Sequence, residues 1–175
     1  MLNPAGVRFG SGEIYSVLER TEFAARIDET ICVGQRRPQD EDERVLLFVK
    51  MRTGHKLDRA LEQAIRATIK AALSARHVPA YILEVEEIPV SGLVVRVRCE
   101  RRDRLMLVFV FVFVAMGQYT INGKKIEIAV KKIISGVRVT PSATVANPGS
   151  LEEYYKYQEI ERFAQPSGRS KDAKL

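Results

Sequence analysis

The chain has 175 residues, 46% hydrophobic and 29% charged, which fits one globular domain with short extras and excludes fibrous or wholly disordered classes. Its net charge of +6 invites a polyanion partner, yet Val90–Gln118 alone, with five Arg against Glu100 and Asp103, carries +3, so the rest is weak support for nucleic-acid binding. Cys32, Cys99, His55 and His77 make neither a disulfide framework nor a metal-ligand spacing.

The elements follow in chain order. "GVRFGSG" is a glycine-punctuated loop. Ser11 is the expected N-cap of a first helix, with Glu13 in its first turn and Ile14, Val17 and Leu18 as its apolar stripe. "DETICVGQRR" and "RVLLFVKM" read as a β-hairpin around "PQDEDE", a solvated turn. Leu57, Leu61, Ala64, Ile65, Ile69, Ala72 and Leu73 give one apolar face, a helix from Leu57 to about Ala75 stopped by Pro79. "AYILEVEEIP" is a third strand, "INGKK" a turn, and Ile126–Ile134 a short helix. Ser150 and Glu153 in "SLEE" suggest a capping box opening a helix to about Phe163, with a disordered tail over 164–175. The fold class expected is α+β, with a three-stranded sheet (the hairpin plus a third strand) and helices packed on it.

"MLNPAGVRFG" has no basic and apolar leader, so the expected location is cytoplasmic. The longest apolar run, Leu105–Gly117, has 13 residues. A membrane helix needs about 20, and the alternation in "VFVFVFV" is strand-like, so no stable membrane insertion is expected. "GQYTINGKK" is not a phosphate loop: five residues separate Gly117 from Gly123, and Lys125 follows Lys124 where Ser or Thr is required.

"GVRFGSGEI" has the form G-x-R-x-x-x-x-E-I. If Val90–Gln118 is set aside, Pro89 joins "YTINGKKIEIAVKKI" in the form P-x-x-x-x-G-K. These two ordered motifs resemble those of the adenylate-forming acyl-CoA synthetases. Such enzymes pair a large N-terminal domain, which binds ATP and a carboxylic acid, with a small mobile C-terminal lid. The resemblance covers the lid, residues 2–163 apart from the insert 90–118.

The resemblance implies ATP and CoA as co-substrates and a small carboxylic acid as acyl donor. Mg2+ would be held through the N-terminal adenylation domain, which is the partner this chain needs. It makes Lys124 the catalytic lysine, with Lys125 as fallback, and Arg8 a contact to the adenylate phosphate. The loop around Ala5 and Gly6 becomes part of the CoA tunnel. A cation at Lys124 suits the chemistry, because a carboxylate must attack the anionic α-phosphate. The chain alone is expected to have no ligase activity, since catalysis by positioning needs both halves.

The segment Val90–Gln118 interrupts the lysine motif. Its 29 codons are in frame; Val-Ser permits a splice-donor sequence and Gln118 the CAG of an acceptor. It reads as a translated intron or, alternatively, as a genuine insertion. The rival reading of the whole chain is a small basic RNA- or polyanion-binding module using Arg96, Arg98, Arg101, Arg102 and Arg104, but it lacks the aromatic platforms of such modules.

Overall fold

The computed structural model describes residues 2–6, 8–19, 22–90, 125–141 and 145–163. The insert beyond Val90, Lys124, the five arginines of the rival reading and the tail at 164–175 lie outside them.

The architecture is α+β, as the sequence reading holds. A three-stranded sheet has the order β1-β2-β3, formed by Ile27–Gln35, Arg44–Met51 and Tyr81–Glu84. β1 and β2 form the antiparallel hairpin, in register from Gln35 opposite Arg44 to Thr30 opposite Val49. β3 pairs parallel to β2, which requires a crossover, and helix α2 (Arg59–Ala72) supplies it.

The run "VLLFV" is continuous rather than alternating because β2 is buried on both faces. Val45, Leu47 and Val49 face one core with Cys32, α1 (Ser11–Glu19) and α2. Leu46 and Phe48 face a second core with Ile31, Val33, helix α3 (Glu127–Ile134) and the C-terminal segment. Helices thus cover both sides of the sheet.

α2 begins where Asp58 accepts the Leu61 amide at 2.6 Å, and Leu61, Ile65 and Ile69 form its buried stripe. It ends earlier than expected. Ser74 caps a separate 3-10 turn, Ala75–His77, so the helix stops at Ala72, well before Pro79.

The expected capping box at Ser150 does not form. Ser150 Oγ donates to the Asn147 carbonyl, and the Glu153 carboxylate accepts from the Glu86 amide, pinning this segment to the chain after β3. Helix α4 (Ser150–Glu153) passes into a 3-10 stretch, Tyr154–Arg162, kinked at Glu159. Tyr154 meets Phe48 edge-on and Tyr157 meets it tilted, both with ring centres 5.0 Å apart, and their hydroxyls donate to the Glu87 and Glu84 carbonyls.

In the expected solvated turn Pro38, Gln39, Glu41 and Asp42 are exposed, but the side chains of Asp40 and Glu43 are covered. Asp40, 5% exposed at its side chain, is held between Arg37 and Arg44, which both also reach Glu161. Glu43, 9% exposed, folds back over β1 to meet Lys131 of α3 at 2.7 Å. A Cβ at position 34 would lie 1.8 Å from Glu43 Oε1, so only glycine lets that carboxylate cross the strand.

Candidate functional site

The N-terminal loop is closed at its base. Leu2 and Phe9 exchange backbone hydrogen bonds of 2.9 and 3.1 Å, and both side chains are buried. Between them, Pro4–Gly6 make a 3-10 turn that contains Ala5 and ends on Gly6 at φ +79, a conformation glycine adopts without strain. Gly6 and Arg8 are exposed at the rim. The clasp therefore presents backbone and one guanidinium outward on a fixed base.

α1 leaves this loop. Ser11 is its first residue, yet its hydroxyl does not cap the helix. The reach-back contact comes from Glu13, whose Oε1 accepts the Gly10 amide at 3.0 Å. Ser11 Oγ instead donates to Glu127 Oε1 at 2.7 Å, and Tyr15, one turn on and on the same face, donates to the same oxygen at 2.7 Å. Tyr15 Oη also accepts the Cys32 amide of β1 at 2.8 Å. Burial, above all, pushes the Tyr15 hydroxyl far above its ordinary pKa, and Glu127 adds to the shift, so the group remains a donor. Burial raises the Cys32 thiol in the same way, removing it as a nucleophile.

Glu127 opens α3 two residues after Lys125. Lys125 pairs with Val90 in an isolated antiparallel bridge, and its ammonium lies 3.7 Å from the centre of the Tyr15 ring. Its pKa is lowered, chiefly by burial, with Glu19, Glu29 and Glu127 opposing the shift. A second carboxylate parallels the first: Glu43 accepts the Asn3 amide at 3.3 Å and pairs with Lys131. The N-terminal segment and the helix after the lysine pair, far apart in sequence, thus meet through Glu127 and Glu43.

Of the sequence-predicted site residues, Ala5, Gly6 and Arg8 share the clasped loop, and α1 joins that loop to the segment holding Lys125. Lys124 lies outside the described residues. Sequence reasoning missed Tyr15, Glu43 and Glu127; the signal was the polar i, i+4 pair Ser11/Tyr15 on a helix otherwise read for its apolar stripe. Among the described residues no group of three or more His, Cys, Asp or Glu could hold a metal, and no helix is long and apolar enough to cross a membrane. A shallow cleft lined by Arg52, His55, Glu84, Glu86, Glu153 and Lys156 shares no residue with the motifs.

No protein-family model matches the chain. It is similar to malonamoyl-CoA synthetase vrtB of Penicillium aethiopicum, 46% identical over 138 residues that make up 79% of this chain and 15% of that protein. It is similar to acetoacetyl-CoA synthetase of Gallus gallus, 40% identical over 162 residues, 93% of this chain and 19% of that one. Among solved structures, acetoacetyl-CoA synthetase from Streptomyces lividans superposes with a TM-score of 0.59 at 26% identity, covering 91% of this chain and 19% of that chain. The chain spans no more than about a fifth of the length of the relatives it matches.

Proposed function

We propose that this chain, which belongs to the AMP-binding acyl-CoA synthetases and matches the C-terminal region of acetoacetyl-CoA synthetase, is the lid domain of an ATP-dependent acyl-CoA ligase. The observation that carries the reading is the meeting of the two motifs: Ser11 and Tyr15, just past the G-x-R loop, converge on Glu127, just past the lysine pair.

In this reading the lid works in two half-reactions. First, the carboxylate of the acid attacks the α-phosphorus of ATP, forming an acyl-adenylate and releasing pyrophosphate. Lys124 supplies positive charge where the two anions approach. Arg8, exposed on its clasped loop, meets the adenylate phosphate. Second, the CoA thiolate attacks the acyl carbon and AMP leaves, with the pantetheine chain passing close to backbone at Ala5 and Gly6. Mg2+ would be held by the adenylation domain, where it would offset the charge of the ATP phosphates.

The acid we propose is acetoacetate. The malonamoyl and acetoacetyl names of the relatives share a carbonyl two carbons from the reacting carboxylate, so a short 3-oxo acid is the substrate class. The site of action proposed is the cytoplasm, and residues 2–163 form one domain.

The test is a chimera. Residues 2–163, without 90–118, replace the matching region of the Gallus gallus enzyme. ATP–pyrophosphate exchange dependent on acetoacetate is the expected result, and Lys124→Ala should lower it by about 10²- to 10³-fold. Exchange in the chimera that neither Lys124→Ala nor Lys125→Ala lowers would sink the reading.

A further inference from the structure

Two adjacent lysines precede α3 in sequence, and of these Lys125 is within the described residues. Lys125 Nζ lies 3.7 Å from the Tyr15 ring centre, half-buried, with Glu19, Glu29 and Glu127 as its electrostatic neighbours. Tyr15 is itself fixed by three partners: it stacks under Lys125, accepts from the Cys32 amide and donates to Glu127. Glu127 Oε1 takes a second hydroxyl, that of Ser11. Four side chains from α1 and the lysine segment therefore form one connected contact, and α1 is continuous with the loop bearing Gly6 and Arg8.

We infer that Glu127 is a positioning residue for the adenylation step. With Ser11 and Tyr15 it fixes the lysine segment against the helix that follows the G-x-R loop, and Lys125 is committed to this contact, leaving Lys124 as the amine for chemistry. The inference rests on the function proposed above. It also makes a chemical distinction. What Glu127 contributes is an acceptor for two hydroxyls, and a glutamine carbonyl can accept both. A group acting by its charge has no such substitute.

The experiment compares Glu127→Ala with Glu127→Gln in the chimera, by ATP–pyrophosphate exchange. Glu127→Ala should lower kcat by about ten- to a hundredfold, as for a misplaced catalytic group, with KM for ATP changed far less. Glu127→Gln should recover most of that loss. Hydrogen exchange on the 175-residue chain gives an independent reading: Glu127→Ala should speed exchange of the Cys32 and Ile126 amides, and Glu127→Gln should restore their protection. Equal loss in both variants would overturn the inference. So would parent-like kcat and unchanged exchange in Glu127→Ala. A chimera in which Lys125→Ala, not Lys124→Ala, abolishes exchange would overturn the assignment of the two lysines. Silence of both lysine variants would sink the function itself, and hydrogen exchange would then decide the positioning role alone.

Discussion

The Ile126 amide donates to the Pro89 carbonyl at 3.0 Å, so the chain leaves the described fold at residue 90 and re-enters it at residue 125 in the same place. Val90 contributes only backbone there: its carbonyl accepts the Ala146 amide at 3.0 Å, and its amide meets Asn147 Oδ1 at 3.1 Å. Any residue except proline can make those bonds at this position.

Deleting Val90–Gln118 should therefore leave the fold intact, with Tyr119 taking Val90's place and a short turn closing to Lys125. For a flexible connection, shortening it this much recovers about 1.5 kcal/mol of closure entropy. It also removes the strand-like "VFVFVFV", an aggregation template when unpaired. Light scattering after size exclusion and urea unfolding should show a less aggregated, slightly more stable domain. A deletion variant that fails to fold would make the segment an integral part of the protein. Sequencing the mature transcript across the Pro89–Tyr119 junction separates a translated intron from a genuine insertion.

The Arg37–Asp40–Arg44–Glu161 group makes the domain sensitive to acid. Hydrogen bonds from Arg37, aided by Arg44, hold the Asp40 carboxyl well below its ordinary 3.8. The same two guanidiniums hold Glu161 at about 2 instead of 4.5. Between native and unfolded pKa values the unfolded chain binds more protons, so stability rises with pH. The contribution is complete above about pH 4.5 and drains away as pH falls toward 2 and below. Urea midpoints measured from about pH 6 downward should fall across this window, and Asp40→Asn should flatten the fall. A slope identical in parent and variant would refute it.

Gly34→Ala should destabilise the domain by about 1–3 kcal/mol. Its Cβ would occupy the space of the Glu43 carboxylate, which joins Asn3 and Lys131. Moving Glu43 aside breaks both contacts at once. A Gly34→Ala/Glu43→Ala double variant, examined by urea unfolding, should show less than the sum of the two single losses.

Gln35 is fully buried on β1, and its amide donates to the carbonyls of Ile134 at 2.7 Å and Tyr157 at 3.2 Å. Gln35→Leu preserves bulk but strands those carbonyls. A loss of about 1–3 kcal/mol is expected, accompanied by faster hydrogen exchange at the end of α3. Loss of stability with exchange unchanged there would place the cost elsewhere.

Much of the fold could be read from patterning. The stripe Leu61, Ile65 and Ile69 gave α2, and "RVLLFVKM" gave a strand whose continuous apolar run marks burial on both faces. The errors share one physical cause: short polar side chains were assigned local partners when their partners are distant in sequence. Ser11 was read as a cap but bonds Glu127; Glu153 was read as half of a capping box but bonds Glu86. Glu43 was read as solvated because it sits in an acidic turn, while the cation that pairs with it, Lys131, is placed by tertiary folding. The candidate site was legible as two motifs; the carboxylates that tie them together were not, since nothing local distinguishes Glu127 from a surface glutamate.

The Leu2–Phe9 clasp bears on how such a domain can move. Because both ends of the loop are buried and paired, Gly6 and Arg8 are welded to the same body as Lys125. Under the lid function proposed above, the two motifs would act as two blades on one handle: presenting the other blade would turn the whole handle rather than flex a loop.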